Sequence, residues 1–277
     1  MRETRYRYIN SGIARARENM AIDEALFRSF QEDSCLPILR FYQWEPSSLS
    51  LGYFQEVPPR VHAHDSYVRR FTGGKAVLHH DDFSFTVITK RADARMSIEA
   101  IYRATLGFLI DAYARLKIDA HFVGVEKKIG YAREPQWCYS SQEPYDIVIG
   151  GKKIGGACIR KSAEAVFIHG FIPFTIGLET MAQLVSRDYA QYLARHTTGL
   201  RAYTAIDAPL FTRVAQEAFG RFHSCDFAAT GLYEHEARRA RELLQAKYDT
   251  ASWNERRCYG KERVYDHIGC QEALVAQ

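Results

Sequence analysis

Two stretches of this sequence carry side chains able to do chemistry. The first, Glu143–Phe174 (EPYDIVIGGKKIGGACIRKSAEAVFIHGFIPF), sets Lys152 and Lys153 in a glycine-rich strand pattern, with Cys138 five residues ahead of it. The second, Tyr67–Thr86 (YVRRFTGGKAVLHHDDFSFT), has the same texture: β-rich residues, the basic pair Arg69-Arg70, a Gly73-Gly74 break, then His79 and His80. We read the two as opposite walls of one site. Cys138, between Trp137 and Tyr139 in an irregular segment, is the best placed of the thiols to react. The thiolate is the attacking form, and a nearby lysine ammonium lowers its pKa. The competing reading is a small, buried, inert side chain. Cys158, inside a strand pattern, is the second candidate.

Lys153 is flanked by Gly150, Gly151, Gly155 and Gly156. Successive strand residues face opposite ways, so one of Lys152 and Lys153 faces inward. An inward ammonium must meet a partner or a substrate oxygen, because an unpaired buried charge is costly. The alternative is a solvated, charged hairpin edge that blocks strand addition. Gly73-Gly74 is open in the same way: an ordinary β-turn, or a place where a carbonyl, carboxylate or phosphate reaches backbone N–H groups unscreened by side chains. Histidines such as His79 and His80 are more often structural than catalytic.

The elements that must position these residues follow from periodicity. Strands are expected at 5–10 (ended by Ser11-Gly12), 37–44, 49–54, 67–71, 76–79 and 82–89; in the last, Phe83, Phe85 and Val87 alternate with Ser84, Thr86 and Ile88. Helices are expected at 19–30, at 98–116 behind an N-cap at Ser97, and at 181–193, 210–222 and 233–248. Residues 119–141 lose periodicity and read as a long loop carrying Cys138. Residues 146–154 read as a hairpin turning at Gly150-Gly151, and 157–160 and 165–174 as further strands. Ser252-Trp253-Asn254 reads as the end of the compact pattern. Strands in the first two thirds and helices in the last third give an α+β fold, a mixed β-sheet core flanked by helices. One domain is expected over residues 1–257, with a tail of unknown role at 258–277.

The totals narrow the function classes. A chain of 277 residues with 47% hydrophobic and 25% charged residues is globular. Its net charge of +4 is too small to argue for nucleic acid. The start, MRETRYRYINSGIARAREN, lacks an apolar h-region, and no run of about 18 apolar residues occurs, so a cytoplasmic location is expected, with no membrane partner. The six cysteines show neither CxxC spacing nor a zinc-like cluster, so no metal is expected. Neither GxGxxG after the first strand nor GxxxxGK[ST] is present.

The run RRFTGGKAVLHHDDFSFTVI resembles a motif of the superfamily of lipoate-protein ligases, octanoyltransferases and biotin-protein ligases, and YDIVIGGKKIGGACIR followed by FIHGFIPF resembles its second motif, with the acyl-site lysine at Lys153. NMAIDEAL, RFYQWEPSSLSLGYFQ and KYDTASWNERR are similar too, so the likeness runs to about Arg257. Within it, Cys138-Tyr139 resembles the catalytic position of the octanoyltransferases of the LipM type.

The resemblance implies a biotin/lipoate-protein ligase-like catalytic domain. It also implies a protein N-octanoyltransferase of lipoate biosynthesis, passing octanoyl from acyl carrier protein through a Cys138 thioester to a lysine of a lipoyl-domain protein, the glycine-cleavage H protein or an E2 subunit. Cys138 and Lys153 would be catalytic. Arg70, Thr72, Gly73, Gly74, His79, Gly155, Gly156, Ala157, His169 and Gly170 would bind substrate. No cofactor is implied beyond the phosphopantetheine that delivers the acyl group, and the chain is expected to be a monomer. Lys75 and His80 depart from the family pattern, and Lys75 would narrow the pocket mouth or touch an anionic group. The rival readings are an ATP-dependent lipoate-protein ligase and a non-catalytic acyl- or carrier-protein-binding regulator.

Overall fold

Two-faced strands set the architecture. In the computed structural model, which describes residues 4–32, 36–62, 66–91, 95–124 and 133–259, the elements run β1 (Thr4–Ala14), α1 (Ala16–Glu32), β2 (Ile38–Trp44), β3 (Ser48–Leu51), α2 (Pro59–His62), β4 (Tyr67–Arg69), β5 (Val77–His79) and β6 (Asp81–Lys90). They continue with α3 (Ile98–Arg115), β7 (Ala120–Phe122), β8 (Ile147–Ile149), β9 (Lys152–Lys153), β10 (Gly156–Lys161) and β11 (Ala165–Thr175). The last are α4 (Leu178–Leu184), α5 (Arg187–His196), α6 (Ala208–Phe222), β12 (Cys225–Ala229), α7 (Glu234–Leu243) and α8 (Ala251–Arg256). The main sheet has the order β10-β11-β6-β2-β1-β12, with β1 parallel to β2 and β12 and the other pairs antiparallel. Two small sheets, β4-β3-β5 and β7-β8-β9, carry the candidate site.

Each face of the main sheet has its own core. Leu39 and Phe41 of β2 and Phe83, Phe85 and Val87 of β6 pack with α3 and α6 through Leu106, Phe108, Phe211 and Phe219. On the other face, Ile38, Tyr42, Ile88 and Phe167 pack with α1 and α7 through Met20, Leu26, Phe27, Ala240 and Leu243. The mixed face expected of β6 is this second one, where Ser84 and Thr86 are buried among polar partners.

Ser97 caps α3 as expected, its side chain accepting from the Ala100 N–H at 3.1 Å. Four expectations are corrected. Strand β1 does not stop at Ser11-Gly12: a bulge between Asn10 and Ile13, with Gly12 at φ 65°, absorbs the break and pairing with β2 resumes. The helix expected at 181–193 is two, because Ser186 caps α5 by accepting from the Tyr189 N–H at 3.1 Å. Residues 225–229, given no element from the sequence, form edge strand β12. Residues 252–254 lie in α8, where Trp253 Nε1 donates to the Arg69 carbonyl at 2.8 Å and Asn254 Oδ1 accepts from the Arg69 N–H at 2.9 Å. The tail expected at 258–277 lies, from residue 260 on, outside the described residues.

A buried ion pair joins the two ends of the described chain. Arg7 on β1 meets Glu236 on α7 through both carboxylate oxygens, at 2.6 and 2.9 Å, with both side chains 1% exposed. Removing one partner strands the other charge in a dry environment. Glu236→Gln is therefore expected to lower unfolding stability by about 3 kcal/mol, and the apolar double change Arg7→Met/Glu236→Leu by less. Urea denaturation checks this; a double variant at least as unstable as the single would contradict it.

Candidate active site

The hairpin of β8 and β9 turns through Gly150 and Gly151 at φ 56° and 76°, values an unbranched turn of this kind requires. The alternation then separates the two lysines: Lys152 reaches an exposed contact with the Ala194 carbonyl, and Lys153, 3% exposed, points inward. Its ammonium pairs with Asp146 Oδ2 at 2.6 Å and donates to the carbonyls of Cys138 at 3.1 Å and Ser141 at 3.0 Å. Burial works to lower the pKa of Lys153, but the Asp146 carboxylate outweighs it and holds the lysine above its ordinary value. The lysine is thus a fixed cation tied to the turn that carries Cys138.

That turn is not free loop. Ala76 N–H donates to the Gln136 carbonyl and Cys138 N–H to the Ala76 carbonyl, both at 2.8 Å, so residues 136–138 are zippered to the strand entering β5. Residues 138–140 make one helical turn, closed by Ser140 Oγ and Tyr189 Oη at 2.9 Å. The Cys138 sulfur lies over Gly156, where an added Cβ would stand 2.8 Å from it. Burial raises the pKa of this thiol and the Lys153 charge opposes the rise.

The opposite wall hangs on arginines. Arg70 donates to the carbonyls of Ser50, Gly73 and Lys75 at 2.9, 3.1 and 2.9 Å and to Ser50 Oγ at 2.7 Å, so it clamps the glycine turn. Arg69, behind it, donates to the carbonyls of Gly52, Tyr53 and Gln55. Gly74 at φ 91° approaches Cys158 so closely that a Cβ would come within 2.4 Å of its sulfur. His79 stacks on Trp44 at 3.9 Å and bridges Ser50 Oγ at 3.0 Å and Asp82 at 2.6 Å; burial holds it below its ordinary pKa, in the neutral form. His169 bridges Thr72 Oγ1 at 2.8 Å and Asp23 at 3.4 Å; burial opposes its charge, but hydrogen bonding to Asp23 raises its pKa. Lys75 spans the two walls, donating to Ser141 Oγ at 2.6 Å.

Between the walls lies a small, mostly apolar cleft. Arg70, His79, Cys138, Gly156, Ala157, His169 and Gly170, all expected from the sequence, line it. Thr72 reaches it through His169, and Gly73-Gly74 through Arg70 and Cys158. Lys153 lies one layer behind Cys138. Gly155 does not face the cleft: at φ 81° it packs against Phe171, whose carbonyl a Cβ would meet at 2.0 Å. Phe171 also lines a second, apolar cavity beside Tyr139, Trp137 and Met181. Among the described residues no group of three His, Cys, Asp or Glu side chains is placed to hold a metal.

Two participants, Asp146 and Asp23, were not singled out from the sequence. Asp146 was legible in principle, since an inward lysine demands a carboxylate and Asp146 stands at the hairpin mouth. Asp23, on the buried face of α1, accepts from Arg40 and Thr86 and anchors His169. Cys158, read as the second thiol, shares the cleft with Cys138. Burial works to raise its pKa, but the Arg70 guanidinium, 3.9 Å away, and His169 outweigh it and hold it below its ordinary value.

Comparison with known proteins places this geometry. Residues 15–220 match the family described as the lipoyl protein ligase A/B catalytic domain. The chain is 29% identical over 273 residues to octanoyltransferase LipM of Moorella thermoacetica, covering 91% of this chain and 98% of that one. It is 32% identical over 184 residues to octanoyltransferase LipM of Bacillus subtilis strain 168, covering 62% and 66%. Its fold is similar to a crystal structure of lipoate-protein ligase A bound with ATP, with TM-score 0.75, 26% identity, and 91% and 98% of the two chains covered.

The opposite electrostatics of the two cleft thiols can be read directly. In the free protein Cys158 is expected to be alkylated by iodoacetamide at lower pH than Cys138, whose profile lies on the alkaline side of the ordinary thiol range near about 8.5. Peptide mass mapping across a pH series checks this. Alkylation of Cys138 ahead of Cys158 would contradict it.

Proposed function

Because the chain belongs to the lipoyl protein ligase A/B catalytic family, we propose that it is a protein octanoyltransferase of the LipM type, acting by way of an acyl-enzyme on Cys138. The observation that carries the reading is the joining of nucleophile and cation: the Cys138 sulfur borders the cleft over Gly156, while Lys153 holds the Cys138 carbonyl at 3.1 Å and faces Asp146. The names of the LipM relatives support the choice of octanoyl transfer.

The donor is octanoyl-acyl carrier protein. Its thioester carbonyl enters the cleft and Cys138 sulfur attacks it. The new carbon–sulfur bond forms as the carrier's carbon–sulfur bond breaks, and the thiol proton leaves on the carrier sulfur. The fixed Lys153 charge favours the developing thiolate, and the glycine-lined backbone at Gly73-Gly74 and Gly156 lets N–H groups approach the oxyanion. In the second half, the amine of an acceptor lysine on a lipoyl domain attacks the thioester. An amide forms, the Cys138 thiol is restored, and the surplus amine proton returns to sulfur. Trp44, Val77 and Phe171 supply the apolar surface for the acyl chain. A solved relative in the same fold pairs a bipartite lipoate protein ligase with its E2 lipoyl domain, which supports a lipoyl domain as acceptor. The transfer requires neither metal nor nucleotide, and the chain acts as a monomer.

The second reading, ATP-dependent lipoate ligation, draws on the ATP-bound relative of the same fold. One experiment separates them. Incubation with octanoyl-acyl carrier protein is expected to give a hydroxylamine-sensitive octanoyl adduct by intact mass. The adduct is expected to be absent in Cys138→Ser, whose transfer rate falls by about 10³-fold or more. Lipoylation of an acceptor from lipoate and ATP, without carrier protein, would reverse the assignment; binding without turnover would make the chain a regulator.

A further inference from the structure

On the same sheet face as the cleft, beyond the Gly73-Gly74 turn, lies a separate, polar cavity. Arg28, Arg160, Lys247 and Arg257 line it, with the rings of Trp253 and Tyr259 and one carboxylate, Glu24, among the described lining residues. Glu24 accepts from Lys247 at 2.7 Å and from Arg28 at 2.7 Å, and Arg257 pairs outside with Glu56 at 3.1 Å. Among the described lining residues, cationic side chains thus outnumber carboxylates four to one. Planar guanidinium groups there suit a phosphate, which accepts paired N–H bonds.

Its position relative to Cys138 is fixed by strand β10. Gly156 borders the Cys138 sulfur, and Cys158 and Arg160 follow on the same strand face. Four residues of strand put Arg160 about 13 Å from Gly156. The pantetheine arm of a carrier has about as many chain bonds between its sulfur and its phosphate as four to five extended residues, a reach of about 15 Å. Between them the Gly73-Gly74 turn packs on Cys158, so the arm would run over the outer side of that turn, where an added Cβ at Gly73 would meet only the Phe54 ring, at 3.8 Å, and Phe54 is 67% exposed. The two outer arginines hold the banks of this path, Arg160 donating to the Phe71 carbonyl and Arg257 to the Phe54 carbonyl at 3.4 Å.

Resting on the transferase reading, we propose that Arg28, Arg160, Lys247 and Arg257 form a phosphate subsite that takes the phosphodiester of the donor's pantetheine arm while its thioester lies at Cys138. The subsite gives the site a ruler: a donor is held at both ends of its arm, and a free fatty acid or short thioester at one. It also explains why cationic side chains gather around α8, which has no part in the acyl cleft.

The test compares two donors with the whole protein, octanoyl-4′-phosphopantetheine and octanoyl-pantetheine, which differ only by the phosphate. Initial rates of Cys138 acylation are expected to give a kcat/KM about tenfold or more higher for the phosphorylated donor. In Arg160→Gln/Arg257→Gln that ratio is expected to fall to within about twofold. Structural damage slows both donors alike and leaves the ratio, so the ratio reads the subsite alone. A second measurement needs no variant: phosphopantetheine without an acyl group is expected to inhibit the wild-type protein more strongly than pantetheine. Equal use of the two donors by the wild type, or an unchanged ratio in the double variant, would overturn the subsite while leaving the transferase reading in place. Acylation by neither donor, nor by octanoyl-acyl carrier protein, would overturn both.

Discussion

A lysine ammonium buried beside an aspartate governs this site. Stripped of water, Lys153 must satisfy its charge and its donors within the protein, and it does so on Asp146 and on the carbonyls of Cys138 and Ser141. Those bonds fix three things at once. They set the depth of the β8–β9 hairpin, they hold the Cys138 turn against β5, and they place a permanent positive charge behind the sulfur. The ammonium is engaged with backbone oxygens, so its part in transfer is electrostatic and positional. In the proposed transfer, the atom that makes and breaks bonds is the Cys138 sulfur.

The facing wall answers the same problem with other residues. A cleft for an acyl chain has to be apolar and shaped, yet the glycine turn that shapes it leaves carbonyls in need of donors. Arg70 supplies them, and His79 and His169 sit in a buried polar layer with Ser50, Asp82, Thr72 and Asp23. The glycines are spatial requirements. Gly52 lies where a Cβ would fall 1.9 Å from the Gly74 carbonyl, and Gly156 where one would press on the sulfur. Cys158, the second thiol candidate, is drawn toward ionisation by Arg70 and His169 in the same cleft.

The sequence made much of this legible because its signals were local. Alternation in β6, the Ser97 cap, the Gly150-Gly151 turn and the need for one of Lys152 and Lys153 to face inward all follow from a few adjacent residues. What escaped depended on distant partners. Strand β12, sequence CDFAA, has little intrinsic β character and forms because β1 offers it a parallel edge. Helix α8 forms because Thr250 caps it and β4 offers its Arg69 backbone to Trp253 and Asn254. Asp23 is a helix residue whose role appears only when Arg40 and His169 reach it from two strands. Tertiary contacts between residues far apart in sequence leave no periodic trace.

In the proposed reading, the cleft offers a nucleophile on one wall and room for the acyl chain between the two, with a charged cavity one arm's length away. The central claim is that the acyl group passes through Cys138 on its way between proteins, and the kinetic competence of that intermediate tests it most directly. Octanoyl-enzyme, freed of donor, would be mixed with a lipoyl-domain acceptor in a single-turnover quench experiment. The account predicts that octanoyl moves from Cys138 to the acceptor lysine at least as fast as steady-state turnover, without release of octanoate. An adduct that stays on Cys138, or hydrolyses, while turnover from fresh donor continues would contradict it.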